Sequence, residues 1–171
     1  MAEATPALPG SRPARRRLLL AAAVTGLAAA DLLVKALAED VLAAGAVRLP
    51  GLQLRLLYND GVAFSFARSL PAWAIIALTG LLTVGLTGYV LAVVPQANRL
   101  RCIAGAAVVA GAAANLIDRA RDGVVTDYLH TGWFPTFNLA DVYLTAGVGL
   151  MILAEWHQAR KHQRTRATAG T

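Results

Sequence analysis

The sequence predicts an all-α integral membrane protein: four transmembrane helices carrying a small β element on the extracytoplasmic side. Three observations lead there. Of the 171 residues, 57% are hydrophobic and only 15% charged, whereas an ordinary soluble domain is about a quarter charged. The stretch from Ser69 to Asn98 holds no charged side chain and exceeds the roughly 20 residues that span a bilayer. Basic residues also recur at alternate ends of the apolar segments, which is how a multi-pass chain records its orientation.

Taken in order, the apolar segments run about Leu18–Leu37, Leu70–Val94, Cys102–Ile117 and Leu139–Trp156. Residues 1–16, rich in Ala and Pro at their start, read as a disordered cytosolic tail. Arg15-Arg16-Arg17 followed by Leu18-Leu19-Leu20 has the form of a signal-peptide entry. No cleavage site is forced and three more spans follow, so the first helix is expected to stay uncleaved. Arg12, Arg15, Arg16 and Arg17 precede the first span; Arg99 and Arg101 lie between the second and third; Arg160, Lys161, Arg164 and Arg166 follow the fourth. Basic loops stay in the cytoplasm, so both termini and the second connection are expected there. The net charge of +6 is thus a topology signal rather than a nucleic-acid arm. Residues 17–158 read as one membrane domain, and 159–171 as a basic cytosolic tail.

Between the first two spans, Leu52, Leu54 and Leu56 fall at every second position after Pro50-Gly51, which favours a short strand over a helix. Asn59-Asp60-Gly61 then reads as a tight turn, with the outer β element covering about 47–68. The single cysteine, Cys102, excludes an internal disulfide and a thiolate metal cluster; it reads as a small packing residue.

Ionisable side chains inside a span are costly, and so informative. At about 1.5 Å of rise per residue, Asp31 lies roughly 21 Å beyond Arg17, Asp118 roughly 26 Å beyond Arg101, and Asp141 roughly 28 Å before Arg160. Against a hydrocarbon core of about 30 Å, all three fall in the outer leaflet near its boundary. Asn115 and Asp118 share a helix face, and Asn138 and Asp141 repeat their spacing at the head of the fourth span. A plainer reading makes Asn138 an N-cap and Asp141 a favourable charge in the first turn; capping alone leaves the matching layer on the other helices unexplained. Asp31 and Lys35, four apart, also fit a simple anchoring ion pair. Asp127 sits in an apolar stretch, Gly123-Val-Val-Thr-Asp127, leading back toward the membrane. Partial desolvation and a neighbouring carboxylate both raise such a group's pKa. Two carboxyls sharing one proton supply a base for water and an acid for the scissile bond. On depth alone Asp118 competes with Asp127 for that role.

Five motifs appear in order: Asp31-Leu-Leu-Val-Lys35, Asn59-Asp-Gly-Val-Ala-Phe64, Asn115-Leu-Ile-Asp-Arg119, Gly123-Val-Val-Thr-Asp127 and Phe137-Asn-Leu-Ala-Asp141. From Asp31 to the end of the fourth span the chain resembles the bacterial lipoprotein signal peptidases, or signal peptidase II. The resemblance implies an aspartic endopeptidase that removes the signal peptide from prolipoproteins, cleaving before a cysteine that already carries diacylglycerol. It also implies a short outer helix beside the outer β element, and no cofactor. By motif, Asp127 and Asp141 are the catalytic pair, and Asn59, Asn115, Asp118, Arg119 and Asn138 line or brace the site, with Asp31 and Lys35 in support. The implied partners are the lipid-modified precursor and the bilayer; the chain gives no reason to require more than a monomer. The segment Asn59–Phe64 is expected to hold the extended peptide. Four differences from the family pattern stand out: Gly111-Ala-Ala-Ala-Asn115, the threonine before Asp127, the Leu-Leu-Val interior of the first motif, and the short segment from Asp127 to Asp141.

No metal is expected. His157 and His162 belong to the cytosolic end and His130 to the outer loop, so the three histidines offer no ligand cluster; His130, near Trp133, reads as interfacial. Two rival readings remain at this level. A proton relay would place polar groups through the whole bilayer, whereas the layer here is one-sided and the second span has no charge. An assembly subunit would use its buried polar groups to join helices.

Overall fold

The computed structural model describes residues 11–60, 70–93 and 97–169, with side chains described for 14–60, 70–93 and 97–160. Four helices, α1 (Ser11–Leu42), α2 (Ala72–Val93), α3 (Arg99–Asp122) and α4 (Leu139–Ala169), accompany three strands, β1 (Val47–Leu49), β2 (Leu52–Asn59) and β3 (Val125–His130). Each helix contains a stretch long and apolar enough to cross a membrane.

Both predicted tails are helical where they are described. Helix α1 already begins at Ser11, because Ala14 and the arginines after it are good helix formers and a proline in the first turn forfeits no hydrogen bond. It also runs past the predicted end at Leu37, through Ala38-Glu39, to Leu42. Helix α4 carries the basic tail on to Ala169. The third span extends at both ends, with Asn98 as N-cap accepting from the Arg101 N–H at 2.9 Å. Gly123 closes it with φ 81°, a left-handed conformation suited to glycine.

The strands form one antiparallel sheet in the order β1-β2-β3. Pro50 and Gly51 (φ 74°) make the hairpin between β1 and β2, the residue pair a type II turn uses. Strand β2 continues beyond the predicted alternation, so Asn59 is its last residue rather than a turn residue; Gly61 lies outside the described residues, as does most of the segment Asn59–Phe64. Strand β3 had no counterpart in the sequence reading. Its β-branched start, Val125-Thr126, suits a pleated strand, and it pairs with β2 through Leu57↔Asp127 and Asn59↔Val125. No short outer helix is among the described elements.

Helix α3 is the hub, touching α1, α2 and α4. Its alanines and glycines let the other backbones approach, as is usual where helices associate in lipid. One cluster joins Leu20, Val90, Ala106 and Val109, and another joins Ala28, Ala110, Ala114 and Ala140. A Cβ on Gly111 would run into the Ala140 carbonyl oxygen and lie 2.9 Å from Leu144 Cγ. Large apolar side chains such as Leu33, Leu81, Val84 and Ile152 point outward, where a bilayer would meet them.

Candidate active site

The carboxylate layer inferred from helical rise is a single connected network. Lys35 Nζ, on α1, lies 3.1 Å from Asp31 Oδ2 and 3.1 Å from Asp118 Oδ2, and donates to Asn115 Oδ1 at 2.7 Å. The ammonium is 2% exposed and its two carboxylate partners 0% and 4%. Both carboxylates also take backbone donors: Asp31 Oδ1 accepts from Ala140 N at 2.7 Å, and Asp118 Oδ2 from Thr126 N at 2.8 Å. The ion pair expected of Asp31 and Lys35 is present, but it spans three helices and reaches β3.

Asn115 and Asn138 connect this cluster to the two remaining aspartates. Asn115 Nδ2 donates to Asp141 Oδ1 at 2.9 Å. Asn138 Nδ2 donates to Asp127 Oδ1 at 2.6 Å and to Asn115 Oδ1 at 3.2 Å. Asn59, at the end of β2, donates to Asp127 Oδ2 at 3.0 Å. The capping reading of Asn138 and Asp141 also holds: Asn138 Oδ1 accepts from Asp141 N at 3.0 Å, and Asp141 Oδ2 from Asn138 N at 3.2 Å, the reciprocal pair of a capping box. Capping and site geometry are thus the same contacts. Arg119 donates to the Asn59 carbonyl oxygen at 3.3 Å and so pins the end of β2, while Asp118 is held by Lys35.

The two aspartates differ in setting. Asp127 is 1% exposed, and burial pushes its carboxyl from the ordinary 3.8 up to about 6; the Asp141 charge adds to the rise, while Asn59, Asn138 and Lys35 hold it down. Asp141, in the first turn of α4, is half-buried. The pair therefore has a closed side at Asp127 and an open side at Asp141. Among the described residues, no three His, Cys, Asp or Glu side chains converge as metal ligands would.

Three supporting groups escaped the sequence reading. Thr126 Oγ1 donates to Glu39 Oε1 at 2.7 Å, tying β3 to α1 beside Asp127. The Tyr128 hydroxyl accepts from Leu139 N at 3.2 Å, and burial pushes its pKa to about 12. Arg55 donates to Thr136 Oγ1 at 3.2 Å and lies 3.3 Å from His130 Nδ1, so the His130 ring is held from β2 and from the segment between β3 and α4. The threonine that departs from the family pattern was the one available signal. The others depend on contacts far apart in sequence.

Residues 23–157 match the family model for signal peptidase (SPase) II. The lipoprotein signal peptidase of Azoarcus sp. (strain BH72) is 40% identical over 167 residues, covering 90% of this chain and 92% of the relative. That of Streptococcus pyogenes serotype M6 is 36% identical over 137 residues, covering 77% and 89%. A solved bacterial membrane enzyme structure superposes with a TM-score of 0.68 at 22% identity, over 82% of this chain and 89% of that one, a likeness of fold. Four apolar helices, a small three-stranded sheet and this extent of sequence identity place the chain in the signal peptidase II family of membrane peptidases.

Proposed function

We propose that Asp127 and Asp141 are the catalytic pair with which this peptidase removes the signal peptide from prolipoproteins, cleaving before a diacylglyceryl-modified cysteine. The observation that carries the assignment is Asn138, which bonds Asp127 through its side chain and Asp141 through its backbone. Asp127, pushed up to about 6 by burial, holds the proton; Asp141, on the open side, serves as the base. The apparent pKa values belong to the pair.

In the first step Asp141 takes a proton from water as the water oxygen bonds to the scissile carbonyl carbon. Asp127 gives its proton to the carbonyl oxygen, leaving a tetrahedral diol. In the second step the carbonyl reforms, its hydroxyl proton returns to Asp127, and the C–N bond breaks. Asp141 hands its proton to the departing amine of the lipidated cysteine, and the pair again holds one proton. Asn59 and Asn138 keep Asp127 in place, and Asn115 keeps Asp141 in place. The precursor approaches sideways from the bilayer with its acyl chains remaining in lipid.

In this reading the protein works as a monomer in the bacterial cytoplasmic membrane, with both termini in the cytoplasm and the pair toward the outer face. Support comes from Arg16, which donates to the Ala97 carbonyl oxygen at 3.2 Å, and from Arg101, 2.7 Å from Glu155. These contacts gather the basic ends of α1, α3 and α4. The decisive assay uses purified protein and a diacylglyceryl-modified precursor. Asp127→Asn and Asp141→Asn should fold yet lose at least about 100-fold in kcat, the scale of general acid–base catalysis. Full cleavage by either variant would remove that residue from the pair.

A further inference from the structure

Lys35 touches neither aspartate of the pair, yet it faces the amide that serves one of them. An ammonium can only donate, so the Asn115 atom 2.7 Å from Nζ must be the carbonyl oxygen. That leaves Asn115 Nδ2 facing Asp141 Oδ1 at 2.9 Å. Asn138 is fixed independently, because its Oδ1 accepts the Asp141 backbone N–H at 3.0 Å, and its Nδ2 is then the atom available to Asp127. Each amide has two near-isosteric ends, and each is locked by a group that can play only one part. The ammonium is itself triangulated by Asp31 and Asp118, whose other bonds go to Ala140 N on α4 and Thr126 N on β3.

Resting on the assignment of Asp127 and Asp141 as the catalytic pair, we propose that Lys35 is a positioning residue that acts through Asn115, fixing the direction of that amide so that Asp141 meets an N–H donor. Without the ammonium, what still holds Asn115 Oδ1 is the longer bond from Asn138 Nδ2 at 3.2 Å, a donor group shared with Asp127 at 2.6 Å. Asn115 can then turn over and present a lone pair to the Asp141 carboxyl that serves as base. The effect falls on the chemical step and leaves substrate binding alone.

The test is a double-mutant cycle on the full-length enzyme, followed by single-turnover and steady-state cleavage of the diacylglyceryl-modified precursor. Lys35→Met should lower kcat at least about tenfold, the usual scale for an outer-layer partner, with KM changed by less than about twofold. In an Asn115→Ala background the same substitution should cost less than about twofold, because the amide through which it acts is gone. An equal loss in both backgrounds, a loss carried by KM, or no loss in kcat overturns the proposal. Removing one member of a buried ionic cluster is often severely destabilising. If Lys35→Met shows no cooperative melt, Asp31→Asn/Lys35→Met/Asp118→Asn takes its place in the same cycle. That variant removes all three charges while keeping oxygen acceptors for the Ala140 and Thr126 N–H groups, and the outcomes are judged identically. Cleavage by Asp141→Asn would instead sink the underlying assignment of the pair, a separate result.

Discussion

At Asp127 burial and the Asp141 charge raise the pKa while amide donors oppose them, with the balance near 6. If the pair works only while it holds one proton, kcat/KM should fall as pH rises through about 6, when Asp127 ionises. Asn59→Ala removes one of the donors that hold the carboxylate down, so its descending limb should move to higher pH. Initial cleavage rates across the acid-to-neutral range would show it; an unmoved limb would mean that Asn59 does not tune Asp127. The stability sign follows from the same shift. The folded carboxyl binds its proton more tightly than the unfolded one, so its stabilising contribution is lost as pH climbs from 3.8 toward about 6. The separation of Asp118 from Asp127 also has its physical reason here. Asp118 is paired with an ammonium and a backbone N–H, whereas the side-chain partners of Asp127 are neutral amides.

Among the elements, α3 sets the geometry because its glycines and alanines admit α4 so closely. Gly111 faces the Ala140 carbonyl, one residue from Asp141, and a Cβ on Gly147 would come within 2.5 Å of Val108 Cγ2 and 2.9 Å of the Ala104 oxygen. Gly111→Ala and Gly147→Ala should each destabilise by about 1–3 kcal/mol, the range for overpacking, and Gly111→Ala should also reduce kcat by displacing the first turn of α4. Gly26, where an added Cβ would meet nothing within 4 Å, is the control: Gly26→Ala should leave the melting temperature in detergent unchanged or slightly higher. Equal losses at all three positions would contradict close α3–α4 packing as the cause. Strand β3 was the element hardest to read. Its six residues follow a helix directly and its buried run, Val125 to Tyr128, lacks the alternation that marked β2. Only pairing with β2, distant in sequence, makes it a strand.

For the whole molecule, the basic helix ends gather on one side and the sheet lies on the other. A C-terminal fusion to a reporter active only after export should be silent, and the same reporter in the exposed loop at Gly132 should be active. The opposite pattern would invert the proposed orientation. The one-sided layer that argued against a proton relay is the same network that braces the two aspartates, and family membership decides for a peptidase over both the relay and the assembly subunit.

The number of spans, the depth of Asp31, Asp118 and Asp141, and the family motifs were all legible along the chain, because helical rise and the thickness of a bilayer are fixed quantities. Which amide meets which carboxylate was not. That depends on how each helix is rotated about its axis and where β3 pairs, both decided by contacts between distant residues. Lys35 shows the division most plainly: its depth and its spacing from Asp31 could be read along one helix, but its hold on Asn115 exists only once α1 packs against α3.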